Sequence, residues 1–207
     1  MITDRYMLLN YHDIKSLVWV FLYAYITHFG WTHDFSRCLW CGLSLFAVIC
    51  YFSLSIAIIV HNSMHVKTFY NSFVEEIWHL LLCVCLGHPV CTYESGHNRS
   101  HHRYTQTTYD AMRTSKLRYK WNLLNLILFQ PTVAPAVFWM DIRFLWSRWD
   151  NMRYFFWKGI GQWLVVIVSQ CVLFWMSWKK FLCFVYLPHL FAQMGIVSFN
   201  MLQHDGC

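Results

Sequence analysis

Residues 38–65 read CLWCGLSLFAVICYFSLSIAIIVHNSMH. No Lys, Arg, Asp or Glu interrupts the stretch. The apolar run from Cys38 to Val60 is long enough to cross a bilayer as a helix, which takes ~20 apolar residues. It ends in His61 and His65, four positions apart. On a helix, residues i and i+4 share one face, one turn apart. The stretch therefore predicts a membrane span that delivers two imidazoles, side by side, to the membrane surface.

The rest of the chain fits that setting. Its 207 residues are 57% hydrophobic and 20% aromatic, and only 13% are charged, about half the charged share of a soluble protein. A water-soluble fold of this length could not hide so much apolar surface. The formal charge of +6 raises nucleic-acid binding, but the basic residues flank apolar runs instead of forming one polar face. They suit cytoplasmic loops of a membrane protein, so no nucleic-acid partner is expected. Most of the nine cysteines lie inside apolar runs (Cys41, Cys50, Cys83, Cys85, Cys171, Cys183), where they act as small hydrophobes. Cys38 and Cys41 have metal or redox spacing. They stand alone at the mouth of a span and read as non-functional. Asp4, Arg5, His12, Asp13 and Lys15 break up the N-terminus, so no cleavable signal peptide is expected.

Four spans are predicted, at 14–33, 38–60, 159–178 and 181–199. Short links make them two antiparallel helical hairpins within a single domain, 1–207. Two further apolar runs are doubtful. Ile77 to Leu86 is too short to cross. Trp121 to Trp139 carries Asn122, Asn125, Gln130, Pro131 and Pro135. Both read as interfacial or re-entrant pieces. With four spans, thirteen Lys and Arg share the side of the N-terminus and the long segment from His61 to Lys158. Only Arg37, Lys179 and Lys180 lie opposite. That bias places the long segment in the cytoplasm; a crossing by Trp121 to Trp139 would push Arg143, Arg148, Arg153 and Lys158 outside. The expected fold is all-α and membrane-integral: two hairpins, interfacial helices and a cytoplasmic His-rich segment.

Histidines gather in three clusters. HNSMH gives His61 and His65, HNRSHH gives His97, His101 and His102, and NMLQH gives Asn200 and His204. Each contains an i, i+4 pair, and in this topology all three emerge on the cytoplasmic side. Converging imidazoles are what a transition metal takes. One zinc needs about four ligands, so six histidines point to two metal ions. His189 sits inside a span, where a polar residue is a functional suspect; one interhelical hydrogen bond would explain it equally well.

HNSMH and HNRSHH resemble the first two histidine boxes of the membrane fatty acid desaturase family, HxxxH and HxxxHH. HHRYTQT, with Asp110 and MRT after it, resembles the continuation in bacterial-type members. NMLQHDGC resembles the segment that ends their last span. The resemblance implies two non-haem iron ions that activate O2, held by His61, His65, His97, His101, His102 and His204. It implies that Asn200 reaches the metal through water. Glu94 is a candidate to orient a ligating histidine. A fatty acyl lipid is the implied substrate, and an external ferredoxin or cytochrome b5 the electron donor, since no haem-binding HPGG occurs. The implied membrane is the bacterial inner membrane or the endoplasmic reticulum. The family's third box, HxxHH, is absent from the 207 residues, so the chain reads as a fragment with an incomplete site and little turnover.

Other readings remain beside desaturation. A related histidine-box hydroxylase, ketolase or alkane oxygenase would use the same ligands. A truncated, non-catalytic membrane protein is the non-enzymatic alternative. A soluble-type di-iron carboxylate site is disfavoured because it needs four glutamates and the chain has Glu75, Glu76 and Glu94. A haem carrier would have to pair His28 with His189, near opposite ends of their helices.

Overall fold

The computed structural model describes residues 8–35, 37–94, 102–119 and 122–204, without the side chains of His102 and residues 200–204. Nearly all of it is helical. The long helices are α1 (Ile14–Thr32), α2 (Leu39–His65), α3 (Ser72–Leu86), α5 (Asn122–Ser147), α6 (Arg153–Met176) and α8 (Leu187–His204). Two short ones, α4 (His102–Tyr104) and α7 (Trp178–Phe181), lie between them. Among the described residues the only β pairing is an isolated bridge between Leu8 and Phe69. Residues group into two units, Met1–Val90 with Trp163–Ala192, and Cys91–Gln162 with Gln193–Cys207.

Four helical stretches are long and apolar enough to cross a membrane: Leu39–His65, Asn122–Ser147, Arg153–Met176 and Trp178–Phe199. They fit an integral membrane protein, and the number equals that expected from sequence. Membership of the set differs. α1 is helical over the expected stretch, but Lys15, His28 and its Trp and Tyr residues dilute its hydropathy, and it falls outside the set. In its place stands α5, where an interfacial or re-entrant piece was expected. Pro131 and Pro135 both lie inside α5, and the helix is unbroken. Each proline removes one backbone donor. Tertiary packing carries the helix past them: Phe129 and Val133 are fully buried, with Leu117 and Val197 against them, and Ser198 donates to the Leu126 carbonyl at 3.0 Å.

The first unit is built on the α1–α2 hairpin. Val20 and Tyr23 of α1 are buried, as are Ile49, Ser53, Ile56, Ala57 and Val60 of α2. Trp19 packs on Phe52 with ring centroids 4.8 Å apart. α3 begins at a true cap, the Asn71 carboxamide accepting from the N–H of Phe73 and Val74. It stops at Gly87, whose φ of 70° is left-handed. A Cβ there would run into the His189 ring. A π-helical turn, Leu182–Tyr186, precedes Pro188, whose missing N–H already weakens the ladder. His189 is explained by the interhelical bond: its Nε2 lies 3.0 Å from the Tyr23 hydroxyl. It is thus engaged with α1, while His28 is exposed.

In the second unit, the end of α5 packs on the start of α6. Gly159 leaves room for Leu145 and Cys91, and Phe144 meets Phe155 edge-on at 5.7 Å. Around the link, Arg143 lies over Trp139 at 5.2 Å and Arg148 over Phe144 at 4.4 Å. Trp139, Trp146, Tyr154 and Trp157 are exposed there, a mix of cations and aromatics suited to a membrane interface.

Candidate metal centre

α2 runs five residues past Val60 and carries both histidines of the first cluster on its last turns. The His61 and His65 rings stand 4.7 Å apart, edge to face. His61 is half-buried and His65 exposed. The Asn62 carboxamide oxygen lies 3.4 Å from His61 Nδ1. Two imidazoles in contact at an accessible helix end are the kind of donor that a transition metal takes.

The chain then turns back, and Glu75 holds the turn. Its carboxylate accepts the N–H of Phe69 at 2.8 Å and of Thr68 at 3.2 Å. His79, one helical turn on, places Nε2 3.3 Å from Glu75 Oε1. Glu75 is 3% exposed and His79 5%. Burial pushes the Glu75 carboxyl up; the hydrogen bonds from His79 and from the Phe69 and Thr68 amides outweigh it and hold the group below its ordinary value. Ser63, between the two histidines, is buried with Oγ 3.5 Å from the Thr68 hydroxyl. The segment leaving His65 is thereby fixed to α3. Sequence reasoning missed Glu75 and His79 as supports. Their i, i+4 spacing was the available signal.

Of the other predicted site residues, His97 and His101 lie outside the described residues. His102 opens α4, and Asn200 and His204 occupy the last turns of α8; these three are placed by backbone alone. Glu94 is half-buried. Among the described residues, no three His, Cys, Asp or Glu side chains gather as a metal site.

The segment after the second cluster is folded by its own side chains. Asp110, 1% exposed, accepts the N–H of Met112 at 2.7 Å and of Gln106 at 3.0 Å. Gln106, at a φ of 61°, accepts both the N–H and the hydroxyl of Thr114 through Oε1, each at 3.0 Å. Asn125 exchanges two bonds with the Tyr119 backbone, joining this loop to α5.

The fatty acid desaturase family model matches residues 36–207, well over half of the chain and inclusive of all three histidine clusters. The chain belongs to the fatty acid desaturase family. Neither a curated protein nor a solved structure matches it significantly. Membership brings a desaturase-like function, oxidoreductase in general character, to a helical protein with helices long and apolar enough to span a membrane.

Proposed function

We propose that this desaturase family member is a membrane-bound, O2-dependent oxidoreductase that introduces a double bond into a fatty acyl chain. In this reading two iron ions are held by His61, His65, His97, His101, His102 and His204. Asn200 reaches the metal through water, and Glu94 orients a ligand. The supporting observation is the pair of adjacent imidazoles, His61 and His65, at the end of α2 within the family-matched region. When bound, iron in such a site supplies O2 activation and removal of hydrogen from an unactivated methylene. The chain's own part is to fix the ligands. Glu75 and His79 tie the segment after His65 to α3, and Asp110 and Gln106 shape the loop after His102. Electrons come from a separate ferredoxin or cytochrome b5.

One site needs all its ligands on one face of the membrane. His61 and His65 end α2, and His204 ends α8, so an even number of crossings must separate them. α6 and the α7–α8 stretch provide two. We therefore infer that α5, although long enough to cross, lies along the cytoplasmic interface, its Trp and Arg residues at the headgroups. The boxes then face the cytoplasm.

The test is lipid analysis of cells expressing the complete reading frame. New double bonds are expected, and His101→Ala should abolish them. No new unsaturation, or equal product from the variant, would refute the assignment; hydroxylated acyl chains would make it a hydroxylase.

A further inference from the structure

The opening cysteine pair is not absorbed by that function. Cys38 and Cys41 are joined by a disulfide, with Cα atoms 5.3 Å apart. Cys38 is the N-cap of the 27-residue α2, and its Sγ accepts the Cys41 N–H at 3.3 Å. Both cysteines are exposed. Between them Leu39 is 70% and Trp40 78% exposed, and Arg37 precedes them. A bond across one turn of a single helix closes too short a loop to constrain the unfolded chain much. Its position does suit chemistry, because a helix N-terminus favours thiolate.

We propose that Cys38 and Cys41 form a reversible thiol–disulfide centre that exchanges two electrons with a dithiol partner. A partner thiolate bonds to Cys41 Sγ. The Cys38–Cys41 bond breaks and Cys38 leaves as thiolate, stabilised by the Cys41 N–H and the positive helix end. The partner's second thiolate then attacks its own sulfur in the mixed disulfide and releases Cys41. The partner ends as a disulfide, oxidised by two electrons. The helix pair ends as a dithiol, taking up protons from water to the extent that its thiols are neutral.

The experiment uses the full chain purified in detergent and equilibrated with dithiothreitol in known ratios of reduced to oxidised form. After an acid quench, the denatured chain is labelled with a polyethylene-glycol maleimide. The expected result is two additional labels per chain on reduction of the folded protein, reversed on reoxidation. The increment is lost in both Cys38→Ser and Cys41→Ser. In the single variants, Cys38 should be alkylated roughly fivefold or more faster than Cys41 near neutral pH, as its thiolate is the stabilised one. A label count unchanged by reductant in the folded protein would overturn the proposal. So would an increment that survives both substitutions, or equal alkylation rates.

Discussion

Glu75→Ala is the most informative single substitution outside the histidines. It removes a carboxylate that accepts the Phe69 and Thr68 amides and pairs with His79, at a site 3% exposed. A hydrogen bond to a charged group contributes about 1.5–3 kcal/mol, and alanine removes the acceptor of two backbone amides. A loss of about 3–5 kcal/mol is therefore expected for alanine. Glu75→Gln keeps the shape and one acceptor oxygen, and should cost about 1–2 kcal/mol. For a chain of this size 1 kcal/mol moves Tm by roughly 2–4 °C. Alanine should thus lower Tm by roughly 6–20 °C and glutamine by roughly 2–8 °C. The twelve tryptophans give a fluorescence melt in detergent micelles. Acid supplies a second readout. Glu75 is held below its ordinary value of 4.5, so its stabilisation is present above that pH and fades as pH falls through its lower folded value. The gap between wild type and Glu75→Gln should be full near neutrality and close in acid. An alanine shift within about 1 °C, or a glutamine gap unaffected by acid, would refute the reasoning.

Other perturbations probe the remaining structure. Gly87→Ala forces a side chain into a left-handed position and against His189, and should cost at least about 2 kcal/mol in the same melts; a neutral result would contradict that contact. Asp110→Asn weakens the acceptor for the Gln106 and Met112 amides, costing about 1–3 kcal/mol. Limited proteolysis between residues 102 and 119 should quicken, and an unchanged rate would count against the loop's construction. Arg148→Cys should react with a membrane-impermeant maleimide only after cells are permeabilised. Labelling in intact cells would mean that α5 crosses and that His61 and His204 lie on opposite faces.

The helical architecture and the pairing of His61 with His65 were legible because they rest on periodicity. An uncharged apolar run and an i, i+4 histidine pair are local signals, and α2 expresses both in one helix. That α5 runs unbroken past Pro131 and Pro135 was less so. Only two backbone donors are lost, and contacts from Leu117 and Val197 hold Phe129 and Val133 in place. The same limit applies to support of the site. Glu75 and His79 were visible as a spacing, but only the turn after His65 makes Thr68 and Phe69 their partners. His189 had two readings until the fold brought Tyr23 to it. The Cys38–Cys41 spacing was plain, but not that the sulfurs bond at an exposed helix cap.

The most direct test of the central claim is iron content. The protein expressed from its complete reading frame, purified from the membrane and analysed by mass spectrometry, should hold two iron ions per chain. The paired substitution His61→Ala, His65→Ala should remove at least half of that iron while the chain stays folded by its tryptophan melt. Iron unchanged by the substitutions, or no iron in the folded wild-type protein, would contradict the account.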